Sequence, residues 1–338
     1  MNDERLLLAH GGGGRLSREL LRDVFLPRFR SGILARLEDA AVLEAPGERL
    51  AFTTDSYVVH PLFFPGGDIG RLAVFGTIND LAVMGAVPRY LSCGFILEEG
   101  FERAVLERIL DSMRGAATEA DVEVVTGDTK VVERGKADGL FLNTAGIGAV
   151  PRGVELGADR IRPGDKVLLS GGLGEHGLAV LTQREGLKFR SEIRSDCAPI
   201  HRLCADLLRA SAPGGIRFFR DPTRGGLAAT LNEAAAGRPW GIRIEEEAIP
   251  LREDVRGLCE ILGLDPLHIA NEGKLVAVAA PGEADRILQA MRANPLGARG
   301  AIIGEVVEKP AGRVVLRSAV GGLRILDLPA GEPLPRIC

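Results

Sequence analysis

The sequence predicts an α+β protein of two domains followed by a short C-terminal segment. A chain of 338 residues is longer than one typical hydrophobic core accommodates. Strand and helix patterns alternate along it without the regular strand–helix–strand rhythm of a parallel sheet. A turn, a strand, a glycine loop and a helix start again at "RIRPGDKVLLSGGLGEHGLAVL". We therefore predict an N-terminal domain over residues 1–155, a C-terminal domain over 156–310, and a segment and tail over 311–338.

The first domain is expected to pack long helices against a sheet. Apolar residues at helical spacing predict helices in "LSRELLRDVFLPRF" and "FERAVLERILDSMRGAATEA". Asp68 and Gly85 are typical of the two ends of a helix over residues 68–85. Runs rich in β-branched and other apolar residues predict strands in "RLAFTTDSYVV", "RYLSCGFIL", "VEVVTGD" and "GLFLNTAGIGAV".

The second domain continues with further helices and strands. Helices are predicted at about 199–211, at about 224–236 and in "GEADRILQAMRA". The runs "KLVAVAA" and "AIIGEVVE" predict strands. From residue 310 onward the pattern weakens, and "LPAGEPLPRIC" is predicted to be a proline-rich arm.

Composition and charge exclude several classes of function. Hydrophobic residues at 46% and charged residues at 26% indicate a soluble globular protein. A net charge of −4 argues against a general nucleic-acid-binding protein. No stretch approaches the roughly 18 apolar residues that span a bilayer, and the N-terminus lacks an export signal. We therefore expect a cytoplasmic protein with no membrane or nucleic-acid partner, whose five scattered cysteines stay reduced.

Three aspartates stand in otherwise apolar segments of the first domain. Asp80 follows Ile69 by eleven residues, a difference of about 20° on a helix, so its carboxylate is expected on a buried face. Asp55 interrupts a predicted strand, and Asp128 ends the strand "VEVVTGD". Each alone is typical of a cap or a turn. As a set, they predict a nucleotide-metal site in which oxygen ligands hold a hard cation such as Mg²⁺.

A glycine run precedes the first helix. In "HGGGGR", Gly11, Gly12 and Gly13 offer bare backbone N–H groups ahead of a helix, an arrangement that suits phosphate. The run is not a Walker A loop, because no GK[ST] follows it, and a flexible turn is the alternative. Lys130 lies two residues after Asp128 and is a candidate partner for phosphate.

A second glycine loop has the glycine spacing of a dinucleotide-binding fingerprint. "GGLGEHG" has G-x-G-x-x-G spacing between a strand and a helix. That fold would require a second parallel strand ending in an acid about twenty residues later. The sequence there, "EGLKFRSEIRSDCAPI", is polar, so we reject this interpretation and expect a structural role for His176.

Two further runs are dense in functional residue types. "RDPTRGGLAATLNEA" places Arg224 near a helix N-terminus, where it could face an anion, while Asp221 could cap that helix. "HIANEGKL" places Asn271 and Glu272 just before a strand, and a polar turn is the alternative there.

The motifs, taken in order, resemble one family over nearly the whole chain. The segments are "TTDSYVVHPLFFPGGDIG", "TINDLAVMGAVPRYLS", "VTGDTKVV", "RDPTRGGLAATLNE", "ANEGKL" and "LPRIC". They resemble the HypE family of hydrogenase maturation proteins. The aspartate segments alone indicate only the wider ATP-using superfamily of aminoimidazole-ribonucleotide synthetase, with its PurM-like fold. The terminal "PRIC" is specific to the HypE family.

The resemblance implies a fold and a site. It implies two α+β domains, with an N-terminal mixed or antiparallel sheet that forms a barrel in a homodimer, a C-terminal α/β sandwich and a flexible tail. It implies that ATP and phosphate are bound and that Mg²⁺ is held by three aspartates. The implied binding residues are Gly11, Gly12, Gly13, Asp55, Asn79, Asp80, Asp128, Arg224 and Asn271, and the implied metal ligands are Asp55, Asp80 and Asp128.

The resemblance also implies a reaction and its partners. A HypF-like carbamoyltransferase would load a carbamoyl group onto Cys338, and ATP-dependent dehydration would leave a thiocyanate. The cyanide would pass to iron on a HypC–HypD scaffold for [NiFe]-hydrogenase. Nitrile formation needs a base and phosphoryl transfer needs positive charge, so Glu272 and Lys130 join Cys338 as catalytic candidates. The alternatives are a small-molecule kinase or synthetase of the same superfamily, or a non-catalytic maturation scaffold.

Overall fold

A computed structural model describes the chain at residues 5–11, 15–37, 40–41, 43–45, 47–184, 192–328, 334 and 336–338. The helices of this part are α1 (Arg15–Leu20), α2 (Leu26–Phe29), α3 (Ile69–Val83), α4 (Arg103–Ala120), α5 (Glu175–Leu181), α6 (His201–Ala210), α7 (Gly226–Ala235), α8 (Glu253–Leu262) and α9 (Ala284–Ala293). The strands are β1 (Leu50–Tyr57), β2 (Phe63–Phe64), β3 (Gly67–Asp68), β4 (Val87–Glu98), β5 (Glu123–Val132), β6 (Leu140–Ala149), β7 (Lys166–Leu169), β8 (Ile216–Arg220), β9 (Gly241–Glu245), β10 (Val276–Ala279), β11 (Ala301–Val307), β12 (Val314–Arg317) and β13 (Leu323–Ile325).

The first half of the chain is a mixed sheet covered by two long helices. Within the described residues its strands run in the order β1-β6-β4-β5, with β4 and β5 parallel and the other pairs antiparallel. Helix α3 packs on β1 and β6, and its other side packs on α4. Asp68 caps α3 by accepting hydrogen bonds from the backbone N–H groups of Gly70 and Arg71, as predicted. The predicted sheet and both long helices are confirmed here.

The second half is built on a larger sheet. In the part of the chain that is described, its order is β13-β12-β9-β11-β7-β10-β8, antiparallel except for the β9–β12 pair. The sequence patterns did not predict β8, β9, α8, β12 or β13. Four of these are strands of three to five residues, too short for a clear periodicity. Strands β12 and β13 extend this sheet, although the sequence pattern placed residues 314–325 beyond the second domain.

The two halves share hydrophobic packing. One buried cluster joins Ala82 and Val83 at the end of α3 to Ile200, Leu203 and further residues of α6, β8 and β10. One polar connection is Asn79 of α3, which hydrogen-bonds to the backbone of the second half. These contacts hold the loops before α6 and β10 against α3. In the described part of the chain, no helix is long and apolar enough to cross a membrane.

Candidate active site

Acidic side chains gather where β1, α3 and two loops of the second half meet. Strand β1 alternates its side chains, so Thr53 and Asp55 share the face that packs on α3. The Thr53 hydroxyl donates a hydrogen bond of 2.9 Å to Asp80 of α3. Burial raises the pKa of Asp80, and the neighbouring charge of Asp55 adds to that rise. Asp80 was expected on a buried face, and in the structure it is half-buried.

The second half adds two buried acids to this cluster. Asp221 follows β8, and Glu272 precedes β10. Burial raises the pKa of Asp221 to about 7, with a further contribution from the charge of Asp80. Burial also raises the pKa of Glu272 well above its usual value, and Asp221 reinforces that effect. The Glu272 Oε1 atom is buried and has no hydrogen-bond partner among the described residues. We call Asp55, Asp80, Asp221 and Glu272 the acid cluster.

Asp221 is the member that sequence analysis missed as a site residue. It stood out only as a possible helix cap before "PTRGG". In the structure it is 6% exposed, and α7 begins five residues later with Gly225 as its cap. Arg224, by contrast, is exposed, and its charge lowers the pKa of Asp80. The proximity of both residues to Asp80 depends on the packing of the two halves, which no local pattern reveals.

Asn79 and Asn271 are both buried and bonded to backbone groups. The Asn79 amide donates to the carbonyls of Ala198 (3.0 Å) and Glu272 (3.2 Å), and its oxygen accepts from the N–H of Ile200 (2.9 Å). The Asn271 amide similarly donates to two carbonyls, and its oxygen accepts from the N–H of Gly174 at 2.8 Å. These side chains fix the loops that carry the acid cluster, and their contact with a nucleotide stays a prediction.

Asp128 and Lys130 lie at the opposite edge of the first sheet. Both are exposed on β5, and the Lys130 ammonium lies 3.3 Å from the Asp128 carboxylate. Gly11 packs directly on β5, where a Cβ atom would overlap the backbone N of Val131. The N-terminal turn therefore lies beside Lys130, whereas Gly12 and Gly13 lie outside the described residues.

The predicted metal ligands do not converge within one chain. Strands β6 and β4 separate β1, which carries Asp55, from β5, which carries Asp128, a span of about 14 Å at ordinary strand spacing. Across the described residues, no group of three or more His, Cys, Asp or Glu side chains is arranged to hold a metal ion. A single chain thus brings Asp55 and Asp80 together but leaves Asp128 apart.

The end of the tail is seated on the continuation of β1. The backbone N–H of Val58 donates to the Cys338 carbonyl at 3.1 Å, and that of His60 donates to the Arg336 carbonyl at 3.3 Å. Arg336 also donates through Nε to the Val58 carbonyl and pairs with Asp138. This pairing seats Cys338 about 10 Å along the strand direction from the position of Asp55.

Apolar contacts complete the seat. Ile337 is 2% exposed and Leu334 is 8% exposed, and both belong to the core cluster that contains Tyr57 and Phe64. Cys338 is half-buried at the edge of the same cluster, whereas the other four cysteines are buried and none is in a disulfide. Cys338 is thus the most exposed of the five cysteine residues.

Comparisons with known proteins identify the fold. The family described as AIR synthase related protein, N-terminal domain, matches residues 37–150, and its C-terminal domain matches residues 162–317. Among solved structures, AaThiL complexed with AMPPCP and TMP superposes with a TM-score of 0.60 at 21% identity, covering 90% of this chain and 95% of that chain. At that identity the likeness establishes the shared fold alone.

Several more similar relatives are named HypE. Carbamoyl dehydratase HypE of Rhizobium leguminosarum bv. viciae is 55% identical over 334 residues, covering 99% of this chain and 95% of that protein. The Escherichia coli K12 protein of the same name is 50% identical over 336 residues, covering 98% of each. The crystal structure of hydrogenase maturation protein HypE in complex with ATP has a TM-score of 0.93 at 50% identity, covering 98% of this chain and 100% of that chain. The chain therefore belongs to the HypE family of carbamoyl dehydratases, on the fold of the AIR synthase-related proteins.

Proposed function

We propose that this protein uses ATP to dehydrate a carbamoyl group carried on the thiol of Cys338, leaving a thiocyanate for the cyanide ligands of [NiFe]-hydrogenase. The observation that carries the proposal is the seating of Cys338 beside Val58, directly after β1, the strand that also contributes Asp55 to the acid cluster. A matching family member was solved in complex with ATP. Another match is a HypE–HypF complex, with a TM-score of 0.80 at 44% identity, covering 92% of this chain and 99% of that chain.

The proposed chemistry balances without any oxidant or reductant. The carbamoyl oxygen attacks the γ-phosphorus of ATP, and ADP leaves. The C–O bond then breaks, so the oxygen departs with phosphate. Both amide protons are lost as the C≡N bond forms, while the S–C bond to Cys338 is kept. Phosphoryl transfer of this kind depends mainly on positioning and on neutralising charge.

Glu272 is the proposed acceptor for an amide proton. Its carboxyl is 3% exposed, its Oε1 atom has no hydrogen-bond partner among the described residues, and its pKa is raised mainly by burial. A base with a raised pKa holds an abstracted proton more firmly than an ordinary carboxylate does. The carbonyl of the same residue is bonded to Asn79, which keeps the backbone in place.

Mg²⁺ would stabilise two members of the acid cluster, Asp80 and Asp221. Asp80 and Asp221 are carboxyls whose pKa values are raised mainly by burial, and a hard cation with oxygen ligands would remove that cost. When bound, Mg²⁺ would supply positive charge to the phosphate oxygens of ATP. We propose Asp55, Asp80 and Asp128 as its ligands, with Asp221 beside them.

A homodimer would join the separated parts of this site. Strands β1 and β5 are the edges of the described first sheet, and pairing between such edges of two copies would set Asp55 and Asp128 on adjacent strands. Phe52, at 71% exposed, and Leu50, at 52%, project from the face of β1 opposite α3, and a barrel closed by a second copy would cover them. Mixing Asp55→Asn and Asp128→Asn proteins tests it, because one intact site per mixed dimer would restore activity. Two inactive variants that stay inactive when mixed would contradict it.

The remaining partners follow from the proposed reaction. A HypF-like carbamoyltransferase would load Cys338, and a HypC–HypD scaffold would take the cyanide. A cytoplasmic location stays a prediction, as does the absence of nucleic-acid and membrane partners.

Intact-mass spectrometry tests the proposed function directly. The protein is incubated with the loading enzyme, carbamoyl phosphate and ATP. We expect an added carbamoyl mass that then falls by one water, located on Cys338 by peptide mapping. Cys338→Ala should bind ATP and gain no mass, while Cys93→Ala serves as the matched thiol control. Turnover of a free small molecule by Cys338→Ala would support a kinase or synthetase instead, and loading without any ATP-dependent mass loss would support a scaffold.

A further inference from the structure

The glycine-rich segment at residues 171–177, which has the spacing of a dinucleotide-binding fingerprint, contacts the tail in the structure. Gly177 sits where a Cβ atom would lie 3.1 Å from Leu334 Cδ1, so the missing side chain leaves room for that tail residue. His176 precedes it and is fully buried. Its Nε2 atom lies 2.9 Å from the carbonyl oxygen of Ile337, the residue before Cys338.

The hydrogen-bond network assigns the state of His176. The Ile337 carbonyl can only accept, so Nε2 carries a proton and donates it. Nδ1 lies 2.8 Å from the Ser195 hydroxyl, which itself accepts from the backbone N–H of Cys197 at 3.1 Å. A neutral ring with its proton on Nε2 leaves Nδ1 as an acceptor, so Ser195 donates its hydroxyl proton to Nδ1. Burial lowers the pKa of His176 and favours the same neutral ring.

The residues behind His176 also hold Glu272. Asp196 follows Ser195, and its carboxylate accepts from the backbone N–H groups of Glu272 (3.1 Å) and Gly273 (3.2 Å). The Lys274 ammonium lies 3.2 Å from the same carboxylate. The short loop that carries Ser195 and Asp196 thus contacts both parts of the site. Ser195 bonds to His176, which bonds to the tail. Asp196 bonds to the backbone of Glu272, the proposed base.

Packing restrains the imidazole as well. Phe64 meets His176 edge to face, with ring centroids 5.4 Å apart and an interplanar angle of 88°. The start of α5 is tied to the loop before β10, because the N–H of Gly177 donates to Ala270 at 3.2 Å. The imidazole therefore has little freedom to follow a tail that shifts.

We propose that His176 is a positioning residue that fixes the tail so that a group on Cys338 lies in register with Glu272. This inference rests on the proposed function, because it assumes that Cys338 carries the substrate. His176 touches the tail backbone rather than the reacting atoms. Its effect is therefore expected on the rate of dehydration and not on ATP binding.

The test uses the full-length protein and two substitutions at one position. His176→Phe keeps the bulk and removes the donor, whereas His176→Gln keeps an N–H group at the position of Nε2. His201→Gln, on α6 and away from the tail, is the matched control. The first readout is the rate at which iodoacetamide alkylates Cys338, followed by peptide mapping. Loss of one buried hydrogen bond should raise that rate about tenfold in His176→Phe, with His176→Gln within about threefold of the unsubstituted protein.

The second readout is single-turnover dehydration of the carbamoylated protein. In His176→Phe we expect the maximal rate to fall about tenfold or more, with an unchanged half-saturating ATP concentration, and His176→Gln should recover most of the rate. Unchanged alkylation in a folded His176→Phe would overturn the inference, and so would unchanged dehydration. If the unsubstituted protein itself loses no water, the proposed function fails, whereas the alkylation result still reports whether His176 holds the tail.

Discussion

The acid cluster and the tail seat lie next to each other but are built differently. The acid cluster consists of side chains whose charge conflicts with their burial, as the raised pKa values of Asp221 and Glu272 express. The tail seat combines backbone hydrogen bonds, donated to the tail by Val58 and His60, with the buried side chains of Leu334 and Ile337. A cluster of buried carboxylates lowers stability until a cation binds. Backbone hydrogen bonds, in contrast, form as soon as the tail docks and are readily replaced by hydrogen bonds to water. The acid cluster is therefore suited to being stabilised by a bound cation, and the seat is suited to a tail that docks reversibly.

The largest effect is expected at the acid cluster. Glu272→Gln keeps the size of the side chain but cannot accept a proton as a carboxylate does, so dehydration should slow by about 10²-fold or more. ATP binding should change little, because the residue is proposed to act on the amide. Single-turnover mass spectrometry and calorimetry measure the two properties. Glu253→Gln, on an exposed part of α8, is the control. A rate that stays within a few-fold would remove Glu272 from the role of base.

Asp221 offers a prediction on stability and pH. Its folded pKa of about 7 lies above the ordinary 3.8, so between these values the unfolded chain has released a proton that the folded chain keeps. Stability without ligand should therefore fall as pH rises through this window, and Asp221→Asn should remove the fall. At pH 8 the free energy of unfolding of Asp221→Asn should exceed that of the unsubstituted protein by about 4 kcal/mol, and at pH 3 the two should be nearly equal.

Urea unfolding at several pH values measures this effect. Asp285→Asn, on an exposed face of α9, is the matched control and should leave the pH dependence unchanged. Mg²⁺ together with ATP should stabilise the unsubstituted protein more than Asp221→Asn. Equal pH profiles for the two proteins would show that Asp221 carries no such cost.

Two glycines on neighbouring helices, Gly76 of α3 and Gly115 of α4, test the packing that supports the two sites. A Cβ atom on Gly76 of α3 would overlap the hydroxyl of Tyr57, which is buried between β1 and that helix. Gly76→Ala should cost about 1–3 kcal/mol of unfolding free energy, because the core must shift. Gly115 of α4 is exposed with nothing nearby, so Gly115→Ala should stabilise by about 0.5–1 kcal/mol. Denaturation midpoints measure both, and opposite signs are required.

Sequence reasoning found the acid cluster more readily than the seat. Asp55 and Asp80 stood out because a charge in an apolar run is a visible anomaly. The seat gave no such signal, since backbone groups are the same at every position. The histidine in "GGLGEHG" was expected to be structural, and its link to the tail depends on contacts 161 residues apart. Asp221 was missed for the same reason, because its burial comes from packing between the halves.

The smallest effect is expected at the outer edge of the seat. Arg336 pairs with Asp138, but the two side chains are 39% and 51% exposed, and His60 lies 3.8 Å from the same carboxylate. Exposed ion pairs contribute about 0.2–1 kcal/mol, so Asp138→Asn should raise the alkylation rate of Cys338 by no more than about fivefold. Added salt should reduce the effect of Asp138→Asn on the alkylation rate further, because it screens exposed charges. The effect of losing the buried hydrogen bond of His176 should not depend on salt.

Alkylation rates at low and high salt measure this contrast. If Asp138→Asn frees the thiol as much as His176→Phe does at both salt concentrations, the seat is held from its exposed edge. The inner histidine would then not be its main anchor. A small and salt-sensitive effect at Asp138, beside a large and salt-resistant one at His176, would locate the anchor where the tail backbone is buried.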